Sequence, residues 1–338
     1  MTSCVAASKT LRENLVKLID ETELNSVVID IKSYDGHISF MPLTTELSPA
    51  VGGCFVRDMQ DFIDHLHSKG IYVIGRIAAF QDVFRVKESP DLAVKKASAT
   101  TTVWRDHKGI PWIDAGARPH WDYLVALARD AHNIGFDEIN FDYIRFPSDG
   151  NMKDIYYPWS KDEKKSEVIR KFFEYLHAKL SSEGVVLSAD LFGMTTTNKD
   201  DLNIGQVLEN ALPYFDYIAP MVYPSHYPPS FLGLGDPNKH VYTVVKYSMD
   251  KAVERTRATT TTIALPNARI GTSTLYAKPA YDPKKLRPWL QDNNYPVTYT
   301  AEMVRDQIRA AYDAGLDSWM LWNAGNRYTR GALESAVR

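Results

Sequence analysis

The chain has 338 residues, of which 44% are hydrophobic and 24% are charged, and its formal net charge is −3. These values are ordinary for a globular protein and exclude a mainly disordered chain. The sequence contains no run of about 18 apolar residues, which excludes a multi-span membrane protein, and no Lys/Arg block of the kind that binds nucleic acid.

Helix-like segments alternate along the chain with short runs that are rich in β-branched residues. The predicted helices cover 11–24, 57–70, 119–135, 161–184, 204–212, 240–256, 300–315 and 331–337. The predicted strands cover 26–32, 71–78, 136–144, 185–192, 215–223, 285–292 and 316–323. Because each strand leads into a helix, the pattern is typical of parallel βαβ units.

These seven strands fall one short of a (β/α)8 barrel. The segment TSCVAAS, residues 2–8, precedes the first helix and is predicted as the tail of a truncated first strand. We therefore predict the α/β class and one TIM barrel over 1–338, with a long loop at about 79–118 and an insertion at about 258–283. The alternative, a doubly wound sheet that binds a dinucleotide, is disfavoured because no GxGxxG motif or P-loop follows a strand.

The two cysteines, Cys4 and Cys54, form no CxxC pair and no metal motif, and we predict two free thiols rather than one bridge. The sequence also lacks an HExxH motif and an EF-hand loop, so we expect neither a metal nor a cofactor. No secretory leader pattern precedes the first helix. The chain is therefore cytoplasmic or has lost its leader, and the truncated start favours the second interpretation.

Polar residues recur on one side of four predicted strands, opposite an apolar side that suits contact with helices. They are Asp30, Lys32, Arg76, Asn140, Asp142 and Asp190. Active sites of barrels lie at the carboxyl ends of the strands. Buried charges are costly unless they are paired, so this concentration favours a catalytic site over a structural salt-bridge cluster.

The segment FDEINFDYIRFPSDG, residues 136–150, carries the most specific motif. It resembles a family of glycoside-hydrolase barrels that is marked by an F-D-Y-I-R-F-P signature. The blocks TELNSVVIDIKSYDG, GIYVIGRIAAFQD, SADLFGMTT, YIAPMVYPSHY, LRPWLQD and WMLWNAGNRY are similar to that family in the same order. The resemblance covers almost the whole chain and implies a TIM barrel distantly similar to the α-amylase type. It further implies an extracytoplasmic protein of the bacterial cell envelope, whose leader or anchor is missing from this chain.

The α-amylase type places a nucleophilic carboxylate at the end of strand four and an acid/base on strand five. Asp142 fits the first position and Asp190 the second, although the α-amylase type has Glu at the second. Carboxyl groups on adjacent strands, which lie about 4.8 Å apart, suit a retaining mechanism. A chitinase-like pattern is rejected because Ile144 stands where that pattern requires a Glu.

Further candidate substrate-binding residues surround these two carboxylates. They are Asp30, Lys32, Arg76, Asn140, Arg145, Tyr223, His226, Trp289, Gln291, Asp292, Trp322 and Asn323. Arg145 could keep Asp142 ionised, bind a substrate oxygen or fix its loop. Aromatic faces can stack against sugar rings, whereas amides and carboxylates can bind sugar hydroxyls.

The sequence therefore predicts a glycosidase that cleaves O-glycosidic bonds of a carbohydrate polymer. Its expected partner is that carbohydrate, with neither a nucleic acid nor an integral membrane segment. The first alternative is a barrel that binds carbohydrate without turnover. The second is a barrel enzyme of another class, a lyase or a transglycosylase.

Overall fold

The computed structural model describes residues 1–266 and 268–336. The chain forms two compact units. Unit 1 comprises Met1–Ser188, Asn203–Gly205 and the end of the chain from Ala336, and unit 2 comprises Ala189–Leu202 and Gln206–Ser335. Across the described ranges, no helix is both long enough and apolar enough to cross a membrane.

The seven predicted strands are all present. They are β1 (Ser26–Lys32), β2 (Tyr72–Ala78), β3 (Glu138–Asp142), β4 (Val186–Phe192), β5 (Tyr217–Met221), β6 (Trp289–Gln291) and β7 (Met320–Trp322). Unit 1 contains the order β1-β2-β3-β4 and unit 2 the order β4-β5-β6-β7, because the residues of β4 are divided between the units. The predicted α/β class is confirmed.

The strands of unit 1 are parallel and pair in register. Asp30 pairs with Arg76, Arg76 pairs with Asn140, and Ala78 pairs with Asp142. Paired residues in adjacent strands point to the same face of a sheet. The register therefore brings the polar residues of three strands together on one face.

The helices of unit 1 are α1 (Ser3–Ala7), α2 (Lys9–Asp20), α3 (Met59–Ser68), α4 (Val83–Glu88), α5 (Arg118–Asn133) and α6 (Lys165–Leu180). Helix α5 shows why the predicted bounds hold to within a few residues. Pro119 lies in its first turn, where proline's missing N–H costs nothing, and Gly135, with a φ of +113°, follows its end. Short 3-10 helices lie at Thr45–Ala50, Pro90–Leu92, Met152–Asp154 and Ser181–Glu183.

The predicted loop at 79–118 is largely ordered. It contains helix α4, whose first turn is capped by Asp82, and the strands Lys95–Lys96 and Ala99–Val103. These two strands form an antiparallel sheet with Ile155–Tyr156, which follows β3. The segments after β2 and after β3 are therefore joined to each other within unit 1.

The predicted strand at 2–8 is wrong, because residues Ser3–Ala7 form helix α1. Pairing with β1 involves Met1, whose amino group donates to the Val28 carbonyl at 2.5 Å and whose carbonyl accepts from the Asp30 N–H at 3.0 Å. Helix α1 then buries Ala6 completely. The segment contains few of the β-branched residues that favour a strand. Burial of its apolar side therefore stabilises a short helix instead.

The prediction of two free thiols is also wrong. Cys4 and Cys54 form a disulfide in unit 1, with their Cα atoms 4.7 Å apart. The two residues are separated by 50 positions, so no local sequence pattern predicts that the fold brings them within bonding distance. The bridge joins helix α1 to the segment before helix α3.

Unit 2 contains the helices α7 (Leu208–Ala211), α8 (Val241–Arg257) and α9 (Ala301–Asp313). Its 3-10 helices lie at Gly193–Thr196, Pro224–His226, Phe231–Gly233, Pro237–Lys239, Pro283–Lys285 and Arg330–Ala332. The last of these replaces the start of the helix predicted at 331–337, and position 337 lies outside the described residues. In the predicted insertion at 258–283, Thr260–Thr261 pairs antiparallel with Tyr276–Ala277, and position 267 lies outside the described residues.

Candidate active site

In unit 1, one guanidinium bridges two buried carboxylates. Arg76 of β2 donates from Nη1 to Asp30 Oδ1 at 2.7 Å and from Nη2 to Asp142 Oδ2. All three residues are at most 8% exposed. On the same face, Asn140 donates from Nδ2 to Ser188 Oγ at 3.0 Å. Four of the predicted site residues are therefore brought together, and two of them, Asp30 and Asp142, share one guanidinium.

Asp142 is the last residue of β3, and a second donor fixes its other carboxylate oxygen. The backbone N–H of Tyr143 donates to Asp142 Oδ1 at 2.6 Å. Tyr143 has a φ of +52°, a left-handed conformation that costs a residue with a side chain about 1–2 kcal/mol. The two donors, one on each oxygen, restrict rotation of the Asp142 carboxylate.

Arg76 is the guanidinium that pairs with Asp142 in these contacts, and the predicted roles of Arg145 toward Asp142 and toward a substrate oxygen stay predictions. Arg145 donates from Nη1 to the Phe146 carbonyl at 3.1 Å and to Ser148 Oγ at 3.2 Å. Burial lowers the pKa of Arg145, and the nearby charge of Asp142 opposes that shift. Arg145 therefore fixes its loop while remaining within electrostatic reach of Asp142.

Lys32, a predicted substrate-binding residue, is engaged by protein groups. Its Nζ lies 2.8 Å from Asp82 Oδ2 and donates to the Ala78 carbonyl at 2.6 Å, and both side chains of the ion pair are fully buried. Asp82 also accepts the Arg85 N–H at 2.7 Å and so caps helix α4. Asp82 is not among the predicted site residues, although an acidic residue just before a helix is a recognisable capping signal.

A buried histidine, also missed from the sequence, lies close to this ion pair. His120 Nε2 is 2.9 Å from the carbonyl oxygen of Ala79. Burial lowers the pKa of His120 to about 4, and the charge of Asp82 opposes this shift. His120 is therefore neutral near pH 7, and the nitrogen that faces a carbonyl must be the one that carries the proton.

In unit 2, Asp190 of β4 is held by a neutral donor. Trp289 of β6 donates from Nε1 to Asp190 Oδ1 at 2.8 Å, and Asp190 is 1% exposed. Gln206 donates from Nε2 to the backbone carbonyl of Asp190 at 3.3 Å. The indole of Trp289 meets Trp322 edge-on at 5.9 Å, so three of the predicted site residues form one cluster.

Tyr223 precedes the 3-10 turn that follows β5, and His226 is the last residue of that turn. Tyr223 is buried and His226 is exposed, and their ring centroids lie 5.2 Å apart. The turn begins at Pro224, whose fixed φ suits the first position of a helical turn. An exposed imidazole beside a buried phenol can meet a ligand from solvent, and the predicted sugar contact of this pair stays a prediction.

The predicted polar residues after β6 and β7 hold their own loops together. Gln291 donates from Nε2 to the Tyr295 carbonyl at 2.6 Å. Asp292 accepts the hydroxyl of Thr329 at 2.6 Å and its N–H at 2.8 Å, and burial raises the pKa of Asp292. Asn323 donates from Nδ2 to the Asp292 carbonyl. These contacts are those of loop anchors, and a role in binding sugar stays a prediction for all three.

The chain matches a known protein family along almost its whole length. A family model described as a putative glycosyl hydrolase domain matches residues 1–328. The chain belongs to this family. The resemblance inferred from the F-D-Y-I-R-F-P signature is therefore confirmed, whereas no curated protein matches the chain.

Solved structures extend the similarity to the fold. A hypothetical protein from Ruminiclostridium thermocellum ATCC 27405 is 31% identical over 60% of this chain and 97% of that one, with a TM-score of 0.51. The PgaB (BpsB) glycoside hydrolase domain from Bordetella bronchiseptica is 12% identical over 96% of this chain and 93% of that one, with a TM-score of 0.63. Alpha-L-fucosidase isoenzyme 2 from Paenibacillus thiaminolyticus is 12% identical over 95% of this chain and 44% of that one, with a TM-score of 0.58. The last two show a shared fold, that of glycoside hydrolase barrels.

Proposed function

We propose that the chain is a glycosidase that hydrolyses O-glycosidic bonds of a carbohydrate polymer, with Asp142 as its nucleophile. The observation that carries this proposal is the pair of donors on the Asp142 carboxylate, Arg76 on one oxygen and the Tyr143 N–H on the other. A carboxylate nucleophile must be ionised and must be aligned with the anomeric carbon. An ion pair supports the first requirement and fixed donors support the second.

Asp190 is proposed as the acid/base. This role requires a carboxyl group that is protonated in one step and ionised in the next. Asp190 is buried, and its partner at 2.8 Å is the uncharged indole of Trp289. Unlike a guanidinium, an indole N–H does not require an ionised acceptor, so this contact is compatible with both states.

The proposed reaction has two steps. In the first, Asp142 bonds to the anomeric carbon as the glycosidic C–O bond breaks, and Asp190 transfers its proton to the leaving oxygen. In the second, Asp190 takes a proton from water, and the water oxygen displaces Asp142 from the anomeric carbon. The sugar is released with its original anomeric configuration, because each step inverts that carbon once.

We also propose that the protein works outside the cytoplasm. The disulfide between Cys4 and Cys54 supports this location, because disulfides persist in oxidising compartments and are rare in the cytosol. A polymeric carbohydrate substrate of the cell envelope would be reached there.

The test is a hydrolysis screen against a panel of glycan polymers, with Asp142→Asn as the inactivated variant and Asp64→Asn as the matched control. Asp64 is an exposed residue of helix α3, so its substitution removes one carboxylate without touching the cluster. We expect Asp142→Asn to lower kcat by about a thousandfold or more, and Asp64→Asn to leave it unchanged. Proton NMR of the first-formed product should show retention.

The other outcomes distinguish the alternatives. An inverted product would exclude Asp142 as the nucleophile. Binding of a polymer without release of new reducing ends would indicate a carbohydrate-binding barrel. An unsaturated sugar at the new chain end would indicate a lyase, and transfer to a second sugar would indicate a transglycosylase.

A further inference from the structure

Lys32 is a buried cation at the end of β1, and the proposed reaction does not use it. Its side chain and that of Asp82, 2.8 Å away, are both 0% exposed. A buried ion pair is weak evidence for stability, because apolar residues of similar volume often stabilise a core as well or better. The ammonium of Lys32 is therefore of interest for a contact that an apolar side chain could not make.

That contact is with the backbone at the end of β2. Lys32 Nζ donates to the Ala78 carbonyl at 2.6 Å. The Ala78 carbonyl and the Ala79 N–H belong to one planar trans peptide group, in which the two bonds point in opposite directions. The Ala79 N–H donates to the Asp142 carbonyl at 2.8 Å. Lys32 thus holds one end of a peptide group whose other end holds the backbone of the proposed nucleophile.

The peptide group between Asp142 and Tyr143 repeats this arrangement. Its carbonyl accepts from the Ala79 N–H, and its own N–H donates to Asp142 Oδ1 at 2.6 Å. Rotation about ψ of Asp142 would turn this peptide group and carry its N–H away from the carboxylate. The bond from Ala79 resists that rotation, because it holds the carbonyl end of the group.

Three hydrogen bonds and two planar peptide groups therefore connect Lys32 to the Asp142 carboxylate. In a buried chain of this kind, each bond polarises the next peptide group and strengthens its bond in turn. The outer end of the chain is anchored as well. Asp82 balances the charge of Lys32, and it accepts the Arg85 N–H at 2.7 Å where helix α4 begins.

We infer that Lys32 is a positioning residue, which orients the Asp142 carboxylate through the peptide groups that follow Ala78 and Asp142. The inference rests on the proposed function, because it names how the nucleophile of that reaction is aligned. Asp82 serves only as the counter-ion that allows Lys32 to be buried. Alignment of a nucleophile changes the rate of the chemical step more than it changes binding of the substrate.

The test compares two variants that both lack the ion pair and differ in the donor to Ala78. Asp82→Asn keeps Lys32, whose amine still donates if it loses its proton, and Asn caps helix α4 as Asp does. The second variant combines Asp82→Asn with Lys32→Met, which fills a similar space without a donor. Both are assayed on the polymer that the hydrolysis screen identifies.

We expect Asp82→Asn to keep kcat within about threefold of the unmodified protein. The combined variant should lower kcat by about tenfold or more, with KM changed by less than about twofold. Equal kcat values in the two variants would overturn the inference, because the donor of Lys32 would then have no effect on the chemical step. A loss that appears in KM and not in kcat would overturn it as well.

A matched control removes another largely buried ion pair of unit 1. Arg12 lies 2.6 Å from Asp58 and also donates to the Ala6 carbonyl at 3.3 Å, so it too is a cation that holds a backbone carbonyl. We expect Arg12→Met combined with Asp58→Asn to lower the free energy of unfolding and to leave kcat unchanged. A loss of kcat equal to that of the Lys32 variant would attribute both losses to general destabilisation and contradict the inference.

A further variant covers failure of either member of the pair to fold, as judged by circular dichroism. Lys32→Gln combined with Asp82→Asn is uncharged at both positions, and the Gln amide can donate to the Ala78 carbonyl. Its crystal structure and its kcat should agree: kcat within about threefold if the bond to Ala78 is kept, and about tenfold lower if the bond is lost. Disagreement in either direction contradicts the inference.

Crystal structures separate this inference from the proposed function. If the unmodified protein hydrolyses no polymer, the proposed function fails, whereas the orientation of Asp142 can still be measured. We expect the bond from the Tyr143 N–H to Asp142 Oδ1 to persist in Asp82→Asn and to lengthen or break when Lys32→Met is added. An unchanged bond in both structures would contradict the inference.

Discussion

Asp142 in unit 1 and Asp190 in unit 2 are the same residue type in two different electrostatic environments. Asp142 accepts from the Arg76 guanidinium on one carboxylate oxygen and from the Tyr143 N–H on the other. Asp190 accepts from the neutral indole N–H of Trp289. The comparison shows that two buried aspartates of one protein can accept from donors of different charge.

Further buried carboxylates also differ in the charge of their donors. In unit 1, Asp30 and Asp82 are paired with Arg76 and Lys32. In unit 2, the neutral groups of Thr329 satisfy Asp292. An unpaired buried charge costs more free energy than an unpaired buried dipole. Removing a cation in unit 1 should therefore lower the free energy of unfolding more than removing a neutral donor in unit 2 does.

The largest effect on stability is expected for Arg76→Met. This change leaves Asp30 and Asp142 buried without their common cation, and the free energy of unfolding should fall by about 3–5 kcal/mol. Urea unfolding at pH 7 measures it. The matched control is Arg129→Met, which breaks an exposed pair with Glu183 and should cost at most about 1 kcal/mol. Similar losses in the two variants would remove the contrast between buried and exposed pairs.

The second effect is a pH dependence that arises from His120. Burial lowers its pKa from 6.5 to about 4, so the unfolded chain binds a proton at a higher pH than the folded protein does. The free energy of unfolding should therefore fall as the pH decreases from 6.5 to about 4, by about 3 kcal/mol from this residue. Above pH 6.5 the residue should contribute no slope.

The substitution His120→Gln isolates this contribution. A Gln amide can donate to the Ala79 carbonyl as His120 Nε2 does, but it does not titrate. We expect the variant to lose less stability than the unmodified protein between pH 7 and pH 4.5 in urea unfolding experiments. Carboxylates titrate in both proteins, so their effects cancel in the difference. Parallel pH curves for the two proteins would show that His120 takes up its proton as readily when folded as when unfolded.

The smallest effect is expected for Trp289→Phe, which keeps an aromatic ring and removes the donor to Asp190. Loss of one hydrogen bond to a buried group should lower the free energy of unfolding by about 1–2 kcal/mol. The control is Trp319→Phe. The half-buried Trp319 donates from its indole to the Tyr312 hydroxyl at 2.9 Å in a solvent-exposed contact, and loss of this bond should be nearly neutral. A loss for Trp289→Phe as large as that for Arg76→Met would show that Asp190 also depends on its donor for a fixed charge.

The fold could be predicted well where local signals were strong. The segment Ser26–Lys32 is rich in β-branched residues and forms β1, and Pro119 and Gly135 mark the ends of helix α5. The segment at Ser3–Ala7 lacks such a signal, and its helix depends on burial of Ala6 against the rest of unit 1. Tertiary contacts override weak local preferences of this kind.

The candidate site was predictable in its residue types but not in its pairings. Alternation along the strands placed Asp30, Arg76 and Asp142 on one side, and the register joins them. The guanidinium bound to Asp142 belongs to Arg76, which lies 66 positions away in the chain, and no local pattern predicts a contact of that span. No sequence pattern predicts the positive φ of Tyr143, because tyrosine rarely adopts that backbone conformation.

The bridge between Cys4 and Cys54 has a consequence for the denatured chain. It closes a segment of 50 positions, and a cross-link of that span lowers the conformational entropy of the unfolded ensemble by an amount worth about 4 kcal/mol at 25 °C. That is comparable with the largest change expected above for a single substitution. A thiol reductant, or an expression host that leaves the two sulfurs reduced, would therefore give a chain whose unfolded ensemble lacks this cross-link. Free energies of unfolding measured on that chain would not be interchangeable with those of the oxidised protein.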